Sequence, residues 1–336
     1  MEEVKVDLAL SDEEVARALF ATHVPGQDTL NVGPLGPFLG QPDGALRYAT
    51  VCRLMADMAT EPALKADLLF GAVYGIRNGS GRWEESLALG LLDECAALIT
   101  DLPRDQQPPL IRRDLYHRGL IAREVYRPGH FLRAAEIHET AAAIAPTKAK
   151  RVVELVVAAV ERMHHAVEVD DLEFLDNQLK LLRETLLPQL TTLTATDPEA
   201  LKWAQCDVPA HRFYCAWLMG RGYSERRADI VCLANLPEQF QQSYAVWHQI
   251  AEAALELENG ELLSALYKGD YIASHEIHPT HVTFGLLIAA RALARMGCHG
   301  VYQNLLYRIV YYPSHAAHFT RAVARRALNL PPPSSL

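Results

Sequence analysis

Histidine and glutamate are concentrated in one short stretch, SHEIHPTH, at residues 274–281. A zinc-binding helix of the protease type needs two histidines four residues apart on one helical face, with a glutamate beside the first. Here His275, His278 and His281 follow one another at spacings of three, and Pro279 interrupts the run. Because the residue before a proline is pushed toward extended backbone, His278 is expected in a turn, with His275 and His281 on different helices. The pattern favours a polar turn, and a metal site at His275 and His281 is the alternative.

A second group of possible metal ligands lies in ERMHH, residues 161–165. Glu161 and His164 are three residues apart and share a helical face, which is the Glu-x-x-His unit of di-iron helical bundles. Such bundles need a second unit of this kind, and the sequence has none. A hairpin turn near residues 146–147 would bring His130 close to the pair. The expectation is therefore no cofactor, with His130, Glu161 and His164 as the alternative metal ligands.

The composition indicates a protein with a sizeable core and an acidic surface. Half of the 336 residues are hydrophobic, and 41 acidic against 32 basic residues give a formal net charge of −9. Surfaces that bind nucleic acids or anionic membranes need clustered lysine and arginine, so neither partner is expected. The chain has no transmembrane-like run, its acidic start does not resemble a secretory signal, and its six cysteines are dispersed. The expected location is the cytoplasm.

The elements that carry these residues are predicted to be helices throughout. Ser11 and Glu14 form a capping box at the first helix. Residues 24–44 are too rich in glycine and proline for regular helix, but apolar anchors such as Leu35 and Phe38 favour a packed loop. From there to about residue 328, helical periodicity alternates with short turns, which suggests stacked helical hairpins.

One window, residues 118–146, resembles the tetratricopeptide repeat. Gly129 stands at the turn, Phe131 and Ala134 stand at the aromatic and small positions of the second helix, and Pro146 ends it. His138 departs from the usual aromatic residue. Three further windows match in part: 81–98, 220–237 and 284–313.

This resemblance implies an all-α fold of stacked antiparallel hairpins, an α-solenoid, with a concave groove. A closed helical bundle or a helical toroid is the structural alternative. Four segments are expected: an N-terminal helix with the long loop at 1–44, a helical-repeat lobe at 45–186, a second lobe, continuous with the first, at 187–329, and a disordered tail at 330–336.

The resemblance also implies which side chains face the groove. In two windows these positions carry arginine pairs four residues apart, Arg123 with Arg127 and Arg291 with Arg295. Like charges at this spacing repel unless an acid compensates them, and forked contacts to a carboxylate would do so. A solvated charged face is the alternative. The implied binding residues are Tyr116, Arg123, Tyr126, Arg127, Arg291 and Arg295.

The expected function is therefore a protein- or peptide-binding module, an adaptor or regulatory subunit, whose partner is a protein or an acidic peptide. An all-helical enzyme with a His/carboxylate pocket, with or without a metal, and a structural subunit of a larger complex are the alternatives. The chain has none of the phosphate-binding or nucleophile motifs that would indicate catalysis, so enzymatic activity stays open and is not the favoured expectation.

Overall fold

The computed structural model is helical throughout the part of the chain that it describes. That part comprises residues 7, 9–41, 43–78, 85–124, 129–221, 223–276, 278–312 and 318–331. Within these ranges no strand occurs, which confirms the predicted all-α class. No helix in the same ranges is long and apolar enough to cross a lipid bilayer. The chain forms two compact units, Met1–Ala122 with Ala143–Pro146, and Arg123–Ala142 with Thr147–Leu336.

The first unit is a series of helices, and each of the first three packs on the helix that follows it. The predicted capping box is confirmed, since the Ser11 side chain accepts the Glu14 N–H and the Glu14 carboxylate accepts the Ser11 N–H. The helices are α1 (Asp12–Phe20), α2 (Gly44–Met58), α3 (Pro62–Asn78), α4 (Glu85–Thr100) and α5 (Gln107–Glu124), the last two residues of which belong to the second unit.

The long Gly/Pro segment packs on the first unit, as its apolar anchors predicted. Its centre forms a 3-10 helix, Gly33–Gly40, against α2, and the side chains of Leu35 and Phe38 are completely buried. Pro37 inside this segment is incompatible with a longer α-helix. Gly44 is required at the start of α2, because a β-carbon there would overlap the Phe38 carbonyl oxygen.

The second unit consists of helices that pack mainly with their sequence neighbours. The helices are α6 (His130–Ala143), α7 (Lys148–Val169), α8 (Leu172–Leu181), α9 (Leu187–Thr191), α10 (Pro198–Lys202), α11 (Val208–Leu218), α12 (Tyr223–Ala234), α13 (Glu238–Asn259), α14 (Leu262–His275), α15 (Pro279–Arg295), α16 (His299–Val310) and α17 (His318–Ala327). In addition to the contacts between neighbours, α7 contacts α11, α11 contacts α13, and α13 contacts α15.

Two π-helical turns, Leu182–Leu186 and Trp203–Asp207, join α8 to α9 and α10 to α11 without a break. Each turn comes just before a proline, Pro188 or Pro209, which has no N–H for the regular helical bond. The wider i→i+5 bonds accommodate this loss. A proline inside a helical run usually ends or kinks the helix, but here the π turn continues it.

The division of the chain differs from the expected segments. The boundary expected at residue 187 falls within the second unit, where the helix continues through the first π turn. The two units instead divide between Ala122 and Arg123. The local signals near 187 are strong helix punctuation, but a unit boundary depends on which helices pack together.

Candidate functional site

The histidine-rich stretch is a turn between α14 and α15, as predicted. His275 ends α14, where its ring stacks on Tyr271 with centroids 4.1 Å apart. His278 caps α15 by accepting a backbone N–H at 3.3 Å. His281 lies in α15, with Nδ1 3.1 Å from Glu276 Oε2. The structure therefore gives His275 and His281 separate partners.

Of the alternative metal ligands His130, Glu161 and His164, the structure places the last two in direct contact. His164 Nδ1 lies 3.0 Å from Glu161 Oε2. His130 instead packs on the Phe131 ring, with centroids 4.0 Å apart, and its Nδ1 lies 3.6 Å from Glu168 Oε1. Among the described residues, no three or more His, Cys, Asp or Glu side chains form a group that could hold a metal ion.

Glu161 and His164 belong to a buried polar cluster of five residues in the second unit. Arg123, at the end of α5, places Nη1 3.3 Å from Glu161 Oε1. On the other side, His164 Nε2 lies 2.7 Å from the Tyr214 hydroxyl and 3.0 Å from His211 Nδ1. The Tyr214 hydroxyl also contacts His211 Nδ1. These five residues are named the Glu161 cluster below.

The local sequence explains how two helices supply this cluster. The middle of α7 is almost entirely apolar, and Glu154 and Glu161 are acids that stand on its buried face, with no exposed side-chain surface. On α11, His211 and Tyr214 are three residues apart and so share a face. The π turn that precedes α11 sets the rotation of that face, and π turns often occur at functional sites.

The electrostatics of the cluster assign its charges at neutral pH. Burial alone would raise the pKa of Glu161, but the Arg123 guanidinium and His164 outweigh it and hold the pKa at about 2. Burial lowers the pKa of His211 well below its ordinary value, and His164 and Arg123 lower it further. Burial raises the pKa of Tyr214 well above its ordinary value. The cluster therefore holds a carboxylate, a neutral His211 and a protonated phenol.

A row of aromatic rings continues from the cluster across the next helices. His211 stacks on Trp203 with centroids 6.1 Å apart, and Tyr214 stacks on Trp247 of α13 at 5.1 Å. Trp247 meets His281 of α15 edge to face at 4.9 Å. His211, Trp247 and His281 are half-buried, so the row has an edge that solvent reaches. These five residues are named the ring row.

The Arg123 guanidinium forms ion pairs with two carboxylates of the protein. Besides Glu161, its Nη2 lies 3.4 Å from Glu124 Oε1. An anionic ligand at Arg123 would compete with two carboxylates.

The two α15 arginines among the implied binding residues have partners outside the cluster. The Arg291 guanidinium lies over the Trp217 ring at 4.4 Å, and burial lowers its pKa. Arg295 donates to the Leu257 carbonyl oxygen. Tyr116 belongs to the first unit, and Tyr126 and Arg127 lie outside the described residues. Among the described contacts, none joins the α15 arginines to Arg123.

The spacing of residues along the sequence did not indicate His211, Trp203 or Trp247 as site residues. One signal was present: glutamates in the apolar run of α7 must find buried partners, because a buried unpaired carboxylate is costly. The partners themselves lie 47 and 50 residues from His164, so no local spacing indicates them.

No protein-family model matches the chain, and comparison with curated proteins and with solved structures finds no match. The tetratricopeptide resemblance of residues 118–146 therefore stays a prediction from that window, and the candidate site is defined by its own geometry.

Proposed function

We propose that the protein binds a peptide, or a segment of a partner protein, along the ring row. The observation that carries this proposal is the continuous contact of rings over α11, α13 and α15 with three half-buried members, His211, Trp247 and His281. Tryptophan and tyrosine are enriched among the few side chains that supply most of the binding energy at protein interfaces. Imidazole nitrogens beside them can fix the direction of a peptide by hydrogen bonds.

The helix packing supports a repeat arrangement for this surface. Each of α7, α11, α13 and α15 packs on the helix that follows it in sequence, and each contacts the next member of this set. The four helices thus correspond to the first helices of successive hairpins, as in the tetratricopeptide fold. We include in the proposal that they line a groove and that the ring row is part of it.

The ligand that fits this row is held mainly by ring faces and imidazole hydrogen bonds. An acidic peptide, which the arginine pairs implied, would have to displace Glu161 and Glu124 from Arg123. Displacing a buried carboxylate from its only described guanidinium is costly. The proposed ligand therefore presents aromatic or aliphatic side chains and backbone amides to the row.

Selection of a peptide from a random displayed library, followed by affinity measurement, tests the proposal. We expect Trp247→Leu and His281→Ala to weaken the selected peptide at least about tenfold, which is the scale of an interface hot spot. Tyr267→Ala is the matched control, because Tyr267 on α14 is 74% exposed and lies outside the row.

Three results contradict the proposal. Binding that survives both row variants, or that is lost equally in Tyr267→Ala, places the surface elsewhere. If no peptide is enriched and the chain co-purifies from its native cell only in a fixed stoichiometric assembly, the structural-subunit alternative replaces it. Circular dichroism of each variant shows whether a loss reflects unfolding.

A further inference from the structure

We propose that the Glu161 cluster is a proton relay that ends at a general base, the Nε2 atom of His211. The ligand it serves carries a hydroxyl or N–H group, and the reaction is proton abstraction from that group. This inference concerns acid–base chemistry and stands whether or not a peptide occupies the ring row.

The direction of the hydrogen bonds follows from the ionised carboxylate. Glu161 accepts the proton of His164 Nδ1, so a neutral His164 has a lone pair on Nε2. The Tyr214 hydroxyl donates to that lone pair at 2.7 Å, and its oxygen accepts from His211 Nδ1–H. The reverse order would leave His164 Nε2 facing two acceptors. His211 therefore has its own lone pair on Nε2.

That nitrogen is in a position to meet a ligand. His211 is half-buried, and its Nε2 makes no hydrogen bond to the described residues. Trp203 covers one face of its ring. Titratable and charged groups from α5, α7, α10, α11 and the π turn before α11 surround His211. They are Arg123, Glu161, His164, Lys202, Asp207 and Tyr214.

A proton taken from the ligand can be passed from His211 to His164, so that His211 carries no net charge afterwards. A proton leaves the ligand oxygen or nitrogen, whose electron pair stays behind, and binds His211 Nε2. His211 Nδ1–H then passes its proton to the Tyr214 oxygen, while the Tyr214 hydroxyl passes its own proton to His164 Nε2, 2.7 Å away. His211 is again neutral with its hydrogen moved to Nε2, and the positive charge rests on His164 against Glu161. Return of the proton reverses each step.

This mechanism explains why a base with a lowered pKa can serve the site. Burial disfavours an imidazolium at His211 itself, and Arg123 and His164 add repulsion. Glu161 is the carboxylate that favours positive charge, and it contacts His164 directly. The orienting carboxylate and the outward base are thus separated by the His164 imidazole and the Tyr214 phenol, a longer version of a triad in which the acid contacts the base.

Nitrogen-15 NMR of labelled histidine tests the relay. At neutral pH we expect His211 to carry hydrogen on Nδ1 and none on Nε2, with His211→Gln used to assign its signals. As the pH falls from about 8 to about 5, across the range where histidines titrate, the hydrogen of His211 should move from Nδ1 to Nε2 while the ring stays singly protonated. A His211 that becomes doubly protonated, or that carries hydrogen on Nε2 at neutral pH, overturns the proposal.

Glu161→Gln removes the charge that holds the relayed proton, and we expect the tautomer change at His211 to disappear. Tyr48→Phe is the control, because it removes a buried phenol hydroxyl from the first unit and should leave the change intact. If Glu161→Gln does not fold, the wild-type measurement decides alone. A tautomer change that persists in a folded Glu161→Gln also overturns the relay.

Diethyl pyrocarbonate tests whether Nε2 is reachable. The unprotonated nitrogen attacks a carbonyl carbon of the reagent, and ethyl carbonate leaves. We expect peptide mapping to show His211 labelled at neutral pH, and the labelling to fall over the pH range in which its hydrogen moves to Nε2. Resistance of His211 to labelling throughout the titration overturns the claim of an accessible base.

Discussion

Gly269 of α14 and Gly285 of α15 lie backbone to backbone where the two helices cross. A β-carbon on Gly285 would lie 2.6 Å from the Gly269 carbonyl oxygen, and one on Gly269 would lie 2.8 Å from the Gly285 carbonyl oxygen. Both distances are shorter than a real side-chain carbon tolerates, so any other residue pushes the helices apart. Because α15 carries His281, this crossing also positions the end of the ring row.

Gly269→Ala and Gly285→Ala should each destabilise the protein by about 1–3 kcal/mol, the usual cost of overpacking a closely packed core. Gly90→Ala in α4 is the control, since a β-carbon there meets no atom within 4 Å. Alanine is the better helix former, so the control should be neutral or more stable. Urea denaturation measures all three, and equal effects at the three glycines would contradict the crossing.

Glu161 should make stability depend on acid pH. Its pKa falls from 4.5 in the unfolded chain to about 2 in the folded one. A depressed pKa stabilises the fold fully above the unfolded value, and this contribution is lost as the pH falls through about 4.5 toward 2. The linked free energy is on the order of 3 kcal/mol. Denaturation midpoints between about pH 6 and pH 2 should fall less steeply in Glu161→Gln than in the wild-type protein.

The fully buried pair of His138 and Glu154, with Nδ1 and Oε2 2.7 Å apart, should be costly to break and easy to replace. His138→Phe or Glu154→Leu alone leaves one polar partner buried and should cost roughly 3–5 kcal/mol. The double variant should recover most of that loss, because an apolar pair of similar volume needs no desolvated charge. A double-mutant cycle measures the coupling, and simple additivity would contradict it.

The loop at residues 24–44 should resist limited proteolysis, because its 3-10 helix buries Leu35 and Phe38. Phe38→Ala should cost about 3–5 kcal/mol and make this segment the first internal cleavage site. Val24→Ala is the control, since Val24 is 54% exposed. Cleavage of the wild-type loop before any helix is cut would show that the packing is not stable in solution.

Features that depend on neighbouring residues along one backbone could be predicted from the sequence. Helical periodicity predicted an all-α protein, and the proline after His278 predicted the turn between α14 and α15. The spacing of Glu161 and His164 predicted a shared helical face. The apolar anchors of the Gly/Pro loop predicted that it packs. These outcomes follow from local geometry, in which three or four residues make one helical turn.

Which helix faces contact each other could be seen only in the tertiary structure. His164 contacts Tyr214 and His211 because α7 and α11 pack in one particular register, and the π turn before α11 rotates that face by an amount that no spacing predicts. The same packing placed the Arg291 guanidinium over the Trp217 ring. Helix register is set by the fit of many side-chain volumes at once, and a buried charge such as Glu161 is stable only where that fit supplies its partners.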